Sequence, residues 1–157
     1  MVLIRRFRKT DATAAVSLIA TTLKTSNAVD YSPEYIQATV QRITPAWLMQ
    51  KAQATHFYVV IADDQLVGTG AIGPFWGSQT ESSLFTIFVS PSWQGHGIGN
   101  LIMAQLQTDP YYLRAKRIEV PASITGRGFY VHYGYQFKPG VPHPDAEQLY
   151  RLEKWRL

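Results

Sequence analysis

Phe88-Val89-Ser90-Pro91-Ser92-Trp93-Gln94-Gly95-His96-Gly97-Ile98-Gly99-Asn100 carries an apolar strand through a glycine-rich loop into a helix. Such a loop presents successive backbone N–H groups at a helix N-terminus, where the helix dipole also favours negative charge. A pyrophosphate fits that environment. Glycines at 95, 97 and 99 let the backbone come close to phosphates and adopt dihedrals closed to other residues. A plain strand-to-helix turn without a ligand has the same local pattern, so the rest of the chain has to decide. Two familiar nucleotide signatures are excluded. There is no Gly-x4-Gly-Lys-Ser/Thr, and the glycine run comes late instead of opening a first βαβ unit.

Upstream, Leu3 to Phe7 reads as a strand, and Thr10 or Asp11 caps a helix with apolar residues at Ala12, Ala15, Val16, Ile19, Ala20 and Leu23. Ser32-Pro33 opens a second helix, whose stripe of Ile36, Val40, Ile43 and Trp47 is kinked or ended by Pro45. Phe57 to Ile61 and Leu66 to Ile72 form a hairpin about Asp63-Asp64-Gln65. An aromatic loop from Gly73 to Thr80 leads into the strand Leu84 to Val89. Downstream, Ile98, Leu101, Ile102 and Leu106 mark a helix that Asp109-Pro110 breaks or turns. Arg117 to Val120 is a strand, Ser123 caps a helix running to about Tyr133, and Gly134 ends it. Tyr135 to Phe137 and Leu149 to Trp155 are the last strands. The order βααβββαβαββ predicts an α/β (α+β) fold with one mixed, mostly antiparallel sheet of about six or seven strands and about four flanking helices. Neither repeat nor linker interrupts residues 1–157, so a single domain is expected.

Composition narrows the chemistry. The 157 residues are 46% hydrophobic and 17% charged, which provides a core without staples and excludes disordered and coiled-coil classes. With no cysteine there is no disulfide framework, thiolate metal site or Cys nucleophile, and no metal is expected. The amino end lacks an apolar signal core, and no apolar run reaches spanning length, so a cytoplasmic protein without membrane contact is expected. The +4 charge is spread out, with short clusters only at Arg5/Arg6/Arg8/Lys9 and Arg114/Lys116/Arg117. That pattern favours solvated faces over a nucleic-acid footprint.

Gln94-Gly95-His96-Gly97-Ile98-Gly99 follows Val89-Ser90-Pro91 and matches Gln/Arg-x-x-Gly-x-Gly after Val-x-Pro. With Ala122 to Tyr135, which ends in Phe129-Tyr130-x3-Gly134-Tyr135, the chain resembles the GNAT superfamily of acetyl-CoA-dependent N-acetyltransferases. The resemblance covers essentially the whole chain. It implies acetyl-CoA as cofactor, CoA as product and a primary amine of a small molecule or protein as acceptor. Attack would be direct, in a ternary complex, and a homodimer is allowed for. Cofactor contacts are implied at Phe88, Val89, Gln94, Gly95, His96, Gly97, Ile98, Gly99 and Asn100. His96 replaces the family's usual Lys or Arg, and Leu84-Phe85-Thr86-Ile87 lacks the mid-strand Glu that commonly deprotonates the amine.

An amine of pKa about 10.4 costs about 4 to 5 kcal/mol to deprotonate at pH 7, so a base or a low-pKa acceptor is needed. Glu81 leads as base, with Asp30 and Glu119 behind it; each also reads as a surface carboxylate. His56 and His132 are minor candidates. By resemblance Tyr130 is the general acid toward the CoA sulfur; otherwise it is a tyrosine packed on the sheet. Ser123 either touches the pantetheine arm or simply caps. Asp30, Tyr31, Trp47 and Trp76, with Phe75, are expected near the acceptor, although such aromatics are commonly core. A CoA-binding module without turnover is the competing reading, motivated by the missing glutamate.

Overall fold

The computed structural model describes residues 1–156. Seven strands make one sheet in the order β1-β2-β3-β4-β5-β7-β6. They are β1 (Val2–Arg6), β2 (His56–Ala62), β3 (Gln65–Pro74), β4 (Glu81–Val89), β5 (Arg117–Ser123), β6 (Gln136–Phe137) and β7 (Leu149–Trp155). Six α-helices accompany them: α1 (Ala12–Thr25), α2 (Pro33–Arg42), α3 (Pro45–Ala54), α4 (Ile98–Thr108), α5 (Pro110–Leu113) and α6 (Arg127–His132). The mixed, mostly antiparallel sheet is as expected, and β4–β5 is its one parallel pair among the described residues. Among the described residues no helix is long and apolar enough to cross a membrane.

Two apolar layers cover the sheet. Ile19, Leu23, Ile36 and Leu48 from α1, α2 and α3 meet Phe57, Val59 and Ala71 on one face. Ile98, Ile102, Met103 and Leu106 of α4 meet Val60, Leu84, Ile118 and Leu152 on the other. Period-two alternation along the strands allows both faces to be filled at once.

Two expectations change. The stripe Ile36, Val40, Ile43 and Trp47 does not lie on one helix. Pro45 forces Thr44 into an extended conformation (φ −104°, ψ 166°), so α2 ends at Arg42 and α3 starts afresh, with Thr44 Oγ1 accepting from Trp47 N at 3.1 Å. Of the two outcomes expected at Asp109-Pro110, the new turn is the one formed: α5 opens there, with the Asp109 carboxylate accepting from Tyr111 N at 2.8 Å. Ser123 ends β5 instead of capping a helix. Its hydroxyl accepts from Gly126 N at 2.9 Å in a turn, and α6 begins only at Arg127.

The separation of β4 from β5 positions the site. They pair only where Glu81–Ser83 faces Arg117–Glu119, and beyond that the strands part. A bulge accompanies the parting: against β3 the register slips between Thr69 and Ala71, and Thr86 takes φ +54°. Thr69 Oγ1 holds the bulge by donating to the Thr86 carbonyl at 2.8 Å. The backbone of β4 from Leu84 onward therefore has no strand partner on the β5 side.

Candidate functional site

The parted strands open into a cleft of about 720 Å3 lined by Leu84 to Val89 of β4, by Val120, Pro121 and Ser123 of β5, and by faces of α1, α2 and α6. The glycine loop closes one end. Gly95 (φ +79°) and Gly97 (φ +81°) are left-handed, and a side chain at either would meet nothing within 4 Å. They are glycine for backbone reasons, leaving open space in front of the loop. The first helical bond of α4 is Leu101 N to Gly97 O, and the amides from Gln94 to Asn100 find no acceptor among the described residues. Such a run of free donors at a helix start is an anion cradle.

Gly99 serves close packing. A Cβ there would stand 2.9 Å from the Phe129 ring, where α4 crosses α6. Tyr133 donates to Asn100 Oδ1 across the same contact. Ile98 turns its side chain into the core, 3% exposed, so only its amide faces the cradle. Gln94 Nε2 reaches Ser26 Oγ (2.9 Å) and Val89 O (3.3 Å), tying the loop to the end of β4. His96 is exposed, with Nδ1 3.0 Å from Gln94 O.

Tyr130 lines the cleft from α6 and is 7% exposed. Its hydroxyl has no hydrogen-bond partner among the described residues, and burial pushes its pKa upward. A proton held by an unpartnered hydroxyl beside a cleft is available to a ligand.

The family model described as an acetyltransferase (GNAT) domain matches residues 27–143. The chain belongs to the GNAT acetyltransferase family. No curated protein matches significantly in sequence. Among solved structures, this GNAT chain resembles the PaiA N-acetyltransferase of Thermoplasma acidophilum in complex with coenzyme A, at 16% identity and TM-score 0.82 over 99% of each chain. It also resembles a GNAT acetyltransferase of Brucella melitensis in complex with acetyl-CoA, at 20% identity and TM-score 0.66 over 99% of this chain and 88% of that one.

The GNAT cleft brings together Phe88, Val89, Gln94, Gly99, Ser123, Tyr130, Tyr31 and Trp47 of the residues expected from sequence. Asp30 stands at its edge, where Oδ2 accepts from Thr125 Oγ1 at 2.8 Å. Tyr31 is a structural tie as well as lining: its hydroxyl accepts from Ile124 N and donates to Gln148 O, both at 2.8 Å. Glu81, Glu119 and Trp76 are elsewhere. Glu81 begins β4, roughly 20 Å of strand away from Phe88. Its carboxylate is 3.0 Å from Arg117, which also meets Glu119 and Glu153. Trp76 is 92% exposed on the loop after β3, next to Phe75, whose ring lies under Arg117. His56 binds buried Asp109 at 2.8 Å, away from the cleft.

Sequence reading missed the charged lining. Arg42 and Glu147 are the cleft's charged side chains. Tyr35, Ala38, Thr39 and Arg42 all line it, at helical spacings of three, four and seven residues. That spacing is legible in the sequence beside the apolar Ile36 and Val40, which make the core contact of α2. Glu147 lies in an irregular segment and had no local signal.

Proposed function

We propose that this chain is an N-acetyltransferase that moves the acetyl group of acetyl-CoA to a primary amine of a small molecule or protein, by direct attack in a ternary complex. One observation carries the reading: a cradle of unpartnered amides, the unpaired edge of β4 and an unpartnered tyrosine hydroxyl all open into one cleft. The residues fit the cofactor. The amides of Gln94 to Asn100 would hold its pyrophosphate, and the backbone of β4 near Phe88 and Val89, with Ser123 opposite, would flank its pantetheine arm. Acetyl-CoA supplies an activated thioester.

The chain's residues do the rest. A free β4 amide polarises the carbonyl by donating to its oxygen, most effectively in a cleft that excludes water. Tyr130 keeps its proton, because ionising a buried phenol is costly. Since a thiol of pKa about 8.5 is a stronger acid than this phenol, Tyr130 acts by hydrogen-bonding the departing sulfur's charge, with little net proton transfer. Tyr31 and Trp47 wall the acceptor side. Glu147, the carboxylate lining the cleft, is the group placed to take the amine's proton: it is 64% exposed and its ion pair with Arg151 is long, at 3.4 Å, whereas Glu81 lies outside the cleft with Arg117 at 3.0 Å.

Thiol release over a panel of amines at several pH values, alongside calorimetric CoA binding, tests this. CoA should bind and release should exceed background hydrolysis. Glu81→Gln should keep the wild-type pH profile and Glu147→Gln should lose an acidic-limb ionisation; the reverse would reinstate Glu81. The absence of a carboxylate on the cleft stretch of β4 supports a second reading, a CoA-binding module. CoA binding without release above hydrolysis for any amine would favour it.

A further inference from the structure

We infer that the acceptor amine also carries an anionic group, a carboxylate or a phosphate, which Arg42 receives on the α2–α3 side of the cleft with the charge of Lys51 adjoining it. This inference rests on the acetyl-transfer reading of the same cleft.

Arg42 ends α2 and lines the cleft. Lys51, on α3, is not itself part of the cleft lining, but its ammonium is 4.3 Å from the centroid of Phe85 and 5.3 Å from that of Trp47, and both rings line the cleft. Neither cation forms an ion pair or a side-chain hydrogen bond among the described residues. They also repel each other: burial and the Arg42 charge both lower the Lys51 pKa. None of the facing carboxylates pairs with either cation among the described residues. Glu147 Oε1 is 3.4 Å from Arg151, Asp145 is 2.7 Å from Arg151, and Asp30 is bound by Thr125.

A simpler explanation is that both cations complement helix C-termini, where each occupies the last turn. That accounts for a charge at each position but not for an ammonium half-buried between two cleft rings beside a second, unpaired cation. Cation–π contact softens that burial, and an anion between the two charges would neutralise it. The same pair disfavours acceptors with a second ammonium. Tyr31 and Tyr35, stacked at 4.4 Å with Trp47 nearby, give the acceptor's body an aromatic wall.

The test uses four primary amines of similar reach: aminovalerate (carboxylate), aminobutylphosphonate (phosphonate), pentylamine (neutral) and cadaverine (cation). Two readouts are taken on wild type, Arg42→Ala, Arg42→Glu and Lys51→Met, each checked for folding by circular dichroism. They are thiol release with acetyl-CoA, and calorimetric binding of each amine to protein saturated with CoA. Wild type should favour an anionic arm over pentylamine by about tenfold or more in both readouts, the scale of one charge-assisted hydrogen bond. The carboxylate and phosphonate arms tell which anion is preferred. Arg42→Ala and Lys51→Met should shrink the ratio, and Arg42→Glu should shift it toward cadaverine. Equal handling of all four amines, preference for cadaverine by wild type, or a ratio untouched by any variant overturns the inference. Acetylation of all amines alike leaves acetyl transfer standing and rejects the anion site. Arg42-dependent binding of an anionic amine without thiol release does the opposite. Neither binding nor release rejects both.

Discussion

Tyr130 shows how burial decides a residue's role. Its ring is enclosed by Phe129 and Tyr135, with centroids at 5.3 and 6.2 Å, while its hydroxyl has no partner among the described residues. Tyr130→Phe keeps the packing and removes only the donor. Turnover should fall about a hundredfold with CoA affinity nearly unchanged, because the hydrogen bond strengthens only as charge develops. Steady-state kinetics with parallel calorimetry would check this, and wild-type turnover would assign Tyr130 to packing alone.

The decisive element is the turn from β4 into α4. Its donors are free because Gly95 and Gly97 hold the loop in left-handed conformations that keep the amides off neighbouring carbonyls. Gly97→Val should cost about 1–2 kcal/mol through its dihedral, since no neighbour crowds the position. It should also weaken CoA binding, by retuning the loop and by filling the space in front of it. Calorimetry that found unchanged affinity, with a native circular dichroism spectrum, would reject the cradle. The β4 bulge is the companion device: it turns the strand away from β5 where a ligand backbone would take the missing strand's place.

Across the whole molecule, the sheet is clamped at the end opposite the cleft. Arg117, 5% exposed, meets Glu81 of β4, Glu119 of β5 and Glu153 of β7, while Lys138 meets Glu119 at 2.8 Å. The strands are held together there and are free to part at the other end. Arg117→Met would leave three carboxylates around an apolar chain. It should destabilise by about 3–5 kcal/mol, the scale for breaking a buried ion pair, as read by denaturant unfolding. Loss of less than about 1 kcal/mol would mean that water reaches those carboxylates.

The sequence by itself determined what depends on a few consecutive residues. The glycine loop, its free amides, the caps at Ser32 and the Asp63-Asp64 turn are set by local dihedral and hydrogen-bonding preferences, so they are legible within a short window. The family motifs, including Tyr130, belong to the same class. Tertiary structure alone decided which side chains share the cleft. Glu81 looked available because a strand-initial carboxylate is commonly exposed; Arg117, far along the chain, engages it. Arg42 looked like a helix-end charge, and Glu147 like a loop charge, until the packing of α2 and the return of β7 brought both to the cleft. Such encounters arise from strand order and helix packing between distant segments, and no local preference encodes them.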